Sequence, residues 1–356
     1  MSPRTSLRLA TLIGSLALTA SLSAQQASAD GAKPDADKSR PNKLFRAADP
    51  VTMWLEADFK TVFKDRDSTS TKRYPAKLKY LGESGDTLTQ DVELGTRGHF
   101  RLRTCSYLPL KVYFDKEKTK GTLFGGEASM KLTSHCQKDD RYAQNVLVEY
   151  AIYGMYNALT PVSLKARLAN VTWVDTKDPK FTITRPAFWT EDDDEMAKRN
   201  GGKVLMQQGG TASQMDERQM AITDLFQYMI GNTDYSLSYL HNYRIVQTDT
   251  SMNYYPMAYD FDWTGLVNAP YAKPDYRLPI KRVTDRLYRG GCHSEELLQS
   301  TIGLFKANKA AIYGNLTALK GLEPDRLKEA TEFLDEFYKM ADDAGQVRRE
   351  LRRVCN

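Results

Sequence analysis

Two short stretches concentrate residue types suited to holding a metal and moving a phosphoryl group. "GNTDYSLSYLHNYRIV", residues 231–246, sets Asp234 just beyond an apolar run and follows it with Asn242 and strand-like sequence. "YYPMAYDFDWTGLVN", residues 254–268, places Asp260 and Asp262 among aromatic side chains. Magnesium selects hard oxygen ligands such as these and keeps several waters. On that chemistry Asn242 and Asp260 supply metal ligands, and Asp234 approaches a nucleophilic hydroxyl. Lys131, in the strand-like "ASMKLTS", would meet phosphate oxygens and help offset charge in the transition state.

Each residue also has a plainer reading. A lone lysine such as Lys131 is usually a solvated charge, Asp234 can cap a turn, and Asn242 can satisfy backbone groups at a strand entrance. Asp260 and Asp262 are harder to dismiss, because they alternate with Phe261 inside an apolar stretch. The spacing of an EF-hand loop is missing. So are the glycine-rich phosphate loops, the HExxH zinc motif and the GxSxG nucleophile turn. The adjacent pairs His135-Cys136 and Cys292-His293 are poor evidence for Cys-His catalysis, since the cysteines have a disulfide reading.

The elements that must position these groups change character along the chain. "YPAKLKYL", "QDVELGTRG", "LPLKVYF" and "ASMKLTS" predict strands, with Met130 and Leu132 on one face and Lys131 on the other. Residues 140–159 predict a helix whose stripe includes Val146, Tyr150 and Tyr153. Strands return at "SLKARLANVTWV" and "KFTITRPAFW". Ser213 and Asp216 have capping-box spacing ahead of "ERQMAITDLFQYMIG", and Gly231 can end that helix. Further helices are predicted near 294–317 and 325–352.

The first 29 residues carry Arg4 and Arg8, a short apolar run and the small residues Ala27-Ser28-Ala29. That is the order of a secretory signal, with cleavage expected after Ala29 and an earlier cut near Ala24 as the alternative, and no later segment predicts an integral membrane span. Fifty basic residues less Arg4 and Arg8 leave 48 against 45 acidic, with the signs interspersed, so no specific nucleic-acid partner is demanded. Cys105, Cys136, Cys292 and Cys355 form no CxxC pair, which excludes zinc spacing. In an exported chain they predict two disulfides. Three pairings are open, and locality favours Cys105 with Cys136 and Cys292 with Cys355.

The ordered set resembles the secreted CotH spore-coat protein kinase family. The resemblance runs over about residues 90–290 and rests on "VELGTRG", "ASMKLTSH", the helix near Glu149, "FWTEDDDEMAKRNGG", "GNTDYSLSYLHN" and "MAYDFDWTGLVNAPYA". It implies an α+β, atypical bilobal protein-kinase-like fold around ATP and Mg2+ or Mn2+. The expected organisation is a signal peptide at 1–29, a flexible linker at 30–47, a strand-rich N-lobe at 48–191 and a helical C-lobe at 192–356. Lys131 then matches the phosphate lysine, Glu149 the helix acid that orients it, and Asp234 the catalytic aspartate. Asn242 and Asp260 match the metal ligands, with Asp262 a second ligand or an orienting charge. Arg97 and Gly98 would lie near the phosphates, and the Phe188 to Glu191 segment near adenine. The chain departs from ordinary protein kinases in lacking their glycine loop, HRD and DFG, and in a longer interval from Asp234 to Asn242. The implied activity is phosphorylation of Ser or Thr hydroxyls on a secreted or envelope protein. Protein AMP transfer and a noncatalytic envelope module that binds nucleotide or protein are the alternatives.

Overall fold

Strand β1, Val51–Ala57, buries every second residue, and Met53 and Leu55 are wholly enclosed. The same alternation puts Ala76, Leu78 and Tyr80 of β2, Tyr74–Leu81, on the inner face. Five more strands continue the sheet: β3, Thr87–Thr96; β4, Leu110–Tyr113; β5, Ser129–Thr133; β6, Ala166–Asp175; and β7, Thr182–Thr190. In the computed structural model these seven close into a barrel of order β1-β2-β3-β4-β5-β7-β6. Closure comes from parallel pairing of β1 with β6, from Val51 opposite Ala169 to Ala57 opposite Asp175. The other pairings are antiparallel.

This closure corrects the expected bilobal kinase-like fold. A sheet whose first and sixth strands pair has no free edges, and a closed barrel is not the strand-rich lobe of that fold. Period-two alternation marks an inner face but carries no information on which distant strands will pair. The barrel is a packed core, filled by Trp173, Trp189, Phe124 and Tyr80 among others. Leu44 and Phe45, in the stretch expected as linker, are buried in this core from a short 3-10 turn, Lys43–Arg46. Truncating Leu44 to Ala would cost about 2–5 kcal/mol.

The described residues are 1, 40–82, 84–178, 180–248 and 253–355. The expected signal peptide and residues 30–39 of the expected linker lie outside them, apart from Met1. Residues 40 onward belong to one compact unit, Pro34–Asn356.

A second hydrophobic core sits among helices. Helix α3, Asp140–Asn157, is capped by Asp139, whose side chain accepts from the Arg141 amide at 2.9 Å. Its Ala151, Ile152, Met155 and Tyr156 pack into a cluster with Leu225 and Phe226 of another helix, Glu217–Met229. That helix is the fifth among the described residues. Before it come α1, Phe59–Val62; α2, Phe100–Thr104; and α4, Asp193–Arg199, so it is α5. Asp216 caps α5 by accepting from the Gln219 amide at 2.8 Å, while the capping box belongs to Thr211 and Gln214. Four helices complete the core: α6, Glu295–Ala307; α7, Lys309–Thr317; α8, Pro324–Ala341; and α9, Ala344–Leu351. A small antiparallel sheet joins β8, Gly202–Leu205, β9, Tyr243–Thr248, and β10, Tyr254–Ala258.

Both favoured disulfide pairings are present, Cys105–Cys136 and Cys292–Cys355, with Cα separations of 4.6 and 4.9 Å. They fit an extracytoplasmic protein. Among the described residues no helix is long and apolar enough to cross a membrane.

Candidate metal and phosphate site

Helix α5 ends at Gly231, whose φ of +66° suits a residue without a side chain. Its carbonyl accepts from the Gly265 amide at 3.0 Å, and the Ile230 carbonyl accepts from Leu266 at 3.1 Å. A Cβ on Gly231 would meet Phe333 at 2.8 Å and Gly265 at 3.3 Å. This close approach sets the loop carrying Asp234 against the loop carrying Asp260 and Asp262. Past Asp234 the chain doubles back. Ser236 and His241 exchange backbone hydrogen bonds, each 2.9 Å, which returns His241 and Asn242 to the side of Asp234.

Asn242 Nδ2 donates to the Asp234 carbonyl oxygen at 2.7 Å and to its Oδ2 at 3.2 Å. His241 Nε2 lies 3.0 Å from Asp234 Oδ1, and this bond is the main cause of a raised His241 pKa. The backbone here is unusual. Asn242 and Asp260 have φ of 54° and 62°, and Leu240 has 52°. Non-glycine residues rarely adopt this region, and such strain gathers where surrounding structure fixes a functional geometry. All three line a cleft of about 550 Å3, with Arg97, Gly98, Asp234 and Asp262.

Carboxylate oxygens of Glu149, Asp260 and Asp262 lie within 4.8 Å of one another. Glu149 rises from α3, and the two aspartates flank Phe261, which is fully buried against Tyr153 and Phe226. One guanidinium faces the three carboxylates. Arg101 on α2 donates from Nε to Asp262 Oδ2 at 2.9 Å and from Nη2 to Glu149 Oε2 at 3.1 Å. Asp262 Oδ2 also accepts from Tyr271 OH at 2.9 Å. The Asp260 carboxylate has no hydrogen bond or ion pair among the described residues.

With all three carboxylates ionised, Arg101 would leave an excess of two negative charges in a low-dielectric site. Burial pushes Glu149 up to about 8 against the opposing pull of Arg101. Burial raises Asp260 too, and the charge of Asp262 adds to it. For Arg101 burial works against the charge, but Asp262, Tyr271 and Glu149 more than offset it and hold its pKa well above the usual range. An enclosed cluster of like charges must take up protons or a cation. An all-oxygen donor set with one unpaired carboxylate suits a divalent ion such as Mg2+.

The Cys105–Cys136 disulfide fixes the helix that carries Arg101. Cys105 is the C-cap of α2, and the amides of Ser106 and Tyr107 donate to the Cys136 carbonyl at 2.9 and 3.1 Å. Phe100 adds an edge-to-face contact with Trp263, ring centroids 4.8 Å apart.

The structure therefore gathers Asp234, Asn242, Asp260 and Asp262, adds Glu149 as a candidate ligand, and places Arg97 and Gly98 in the same cleft. Two expected contacts are absent. Lys131 does not pair with Glu149. Its Nζ meets Asp193 Oδ1 at 3.0 Å, while Arg101 occupies Glu149. Asp193 also binds Arg244 Nε at 2.8 Å, and Arg244 lines the cleft. Glu191 is 1% exposed, with its oxygens taken by Arg199 Nε and Nη2 and by the Lys165 amide. It serves as a local brace and does not line the cleft.

Sequence reasoning missed Arg101, His241, Asp193 and Arg244. His241 sat beside Asn242 and offered a signal. Nothing in the spacing of Arg101 foretold its pairing with Glu149 and Asp262, residues far away in the chain. No protein-family model matches this chain, and no curated protein matches it.

Proposed function

We propose that the protein is an exported, metal-dependent phosphotransferase that uses ATP and acts on Ser or Thr hydroxyls of a secreted or envelope protein. The observation that carries this reading is the convergence of Glu149, Asp260 and Asp262 beside Asn242 and Asp234. It depends on the site and not on a kinase fold. The segments holding Asp234, Asn242, Asp260 and Asp262 are also those that most resemble the CotH family.

Asp260, Asp262, Glu149 and Asn242 would hold Mg2+ or Mn2+, which when bound neutralises phosphate oxygens in the transition state. Arg97 and Arg244 border the same cleft as further positive charges for the triphosphate. Asp234 accepts the acceptor hydroxyl proton as that oxygen bonds to the γ-phosphorus. The bond from the γ-phosphorus to the bridging oxygen breaks, and ADP leaves. Asn242 and His241 hold the Asp234 carboxylate in place for that transfer. The two disulfides support an oxidising destination, whether periplasm, cell surface or medium.

Purified protein should transfer label from γ-labelled ATP with Mg2+ or Mn2+, and Asp234→Ala should abolish the transfer while staying folded. Product mass separates phosphate from AMP transfer. Unchanged turnover in Asp234→Ala would overturn the assignment.

A further inference from the structure

Asp234 stands where two clefts meet. Besides the one holding Asp260 and Asp262, a second cleft of about 1110 Å3 is lined by Tyr239, Trp263, Lys273, Tyr276, Arg277 and Arg289. Asp234, His241 and Trp263 belong to both. A donor nucleotide on the metal side leaves the second cleft as the approach for the acceptor. Its volume exceeds the roughly 300–1,000 Å3 usual for small-molecule pockets, which favours a segment of polymer.

The lining states what that segment should carry. Tyr276 is 92% exposed and Tyr239 73%, the two broadly exposed aromatic side chains among the described residues. Exposed aromatics in a cleft are contact surface awaiting a partner. Among the described residues Lys273 pairs with no carboxylate. Arg289 spends its guanidinium on the carbonyls of Thr233 and Tyr235 and makes no ion pair among the described residues, though it acts on Asp275 from a distance. Asp275 and Arg277 neutralise each other through Nη2 at 2.5 Å and Nε at 2.9 Å. Lys273, Arg277 and Arg289 against Asp234 and Asp275 leave one positive charge in excess, so the segment that fits is negative. A neutral glycan would gain nothing from Lys273 and Arg289, whereas an extended peptide can offer acidic side chains to them and its backbone and apolar groups to the tyrosines.

We infer that the second cleft binds an acidic, extended polypeptide segment and presents its Ser or Thr hydroxyl to Asp234. This rests on the phosphotransfer reading for the chemistry, but not for the binding. The test uses disulfide-intact protein and three fluorescein-labelled probes: a serine peptide flanked by Glu and Asp, the same peptide flanked by Lys and Arg, and an acidic oligogalacturonate. Anisotropy without nucleotide should show the acidic peptide binding about tenfold tighter than the basic one, with affinity falling as salt rises. Lys273→Glu should weaken it about tenfold and Tyr276→Ala about fivefold. Lys328→Glu, the same charge change on α8, should leave it unaltered. Equal or tighter binding of the basic peptide, preference for the oligogalacturonate, no binding of any probe, or no effect of Lys273→Glu would overturn the inference. Adding Mg2+ and ATP separates the two claims. Acidic preference without transfer sinks the phosphotransfer reading alone, and transfer without acidic preference sinks the cleft assignment alone.

Discussion

Asn242 spans both ends of Asp234, with one Nδ2 donating to the backbone carbonyl at 2.7 Å and to the side-chain Oδ2 at 3.2 Å. The carboxylate is thereby tied to its own main chain. Asn242→Asp would replace the donor with a second acceptor and set two carboxylates against each other. Turnover should fall about 100-fold or more, the loss typical of a preorganised polar contact. Asn242→Gly keeps the backbone freedom that φ of 54° asks for, so it should lose activity with a smaller drop in Tm than Asn242→Ala. Steady-state rates and calorimetry on the three variants check this.

Arg289 grips the same loop from outside, through the carbonyls on either side of Asp234. Arg289→Gln should loosen the loop and lower kcat about tenfold, while KM for ATP stays within about twofold. A rise in the KM for ATP with kcat unchanged would show that the residue serves nucleotide binding instead.

Arg101 is the cation that pairs with two of the three carboxylates, and its side chain is 10% exposed. Arg101→Met removes the partner of Glu149 and Asp262 and should cost about 3–5 kcal/mol. Excess Mg2+ should restore more Tm in the variant than in the wild type, because the emptied site gains affinity for a cation. Equal shifts in both proteins would deny that the ion binds there.

His135 gives a pH signature remote from the site. It is fully buried, neither ring nitrogen has a hydrogen-bond partner among the described residues, and its ring packs 4.1 Å from Tyr107. Burial, with Arg185 adding, lowers its pKa to about 3 from an ordinary 6.5. Below 6.5 the unfolded chain binds a proton that the folded one refuses. The stabilisation is present above 6.5 and is lost as pH falls toward 3, by about 2 kcal/mol at pH 5. His135→Phe should flatten that loss, so its Tm should fall less than the wild type's between pH 7.5 and pH 5. An unchanged difference would place the acid sensitivity elsewhere.

The local elements were legible in the sequence because local physics makes them. "YPAKLKYL" alternates and is a strand over the same residues, and the expected helix at 140–159 runs Asp140–Asn157. The disulfide pairs followed from locality. Asp234, Asn242 and Asp260 could be picked out because polar groups in apolar surroundings need a reason. What was illegible is long-range. The parallel pairing of β1 with β6 closes the barrel, and neither strand's pattern names its partner. Lys131 was matched to Glu149 by resemblance, yet Asp193 reaches Lys131 and Arg101 reaches Glu149. Which of several opposite charges meet is decided by how helix and barrel pack, and that is not written in spacing.

The most direct test of the account is a crystal grown with Mn2+ and a nonhydrolysable ATP analogue, with anomalous scattering collected at the manganese edge. The account predicts a peak bonded to Asp260 and to Glu149 or Asp262, with the triphosphate beside it and the terminal phosphate facing Asp234. No peak at saturating Mn2+, or one held by other residues with Arg101 still closing the carboxylates, would contradict it.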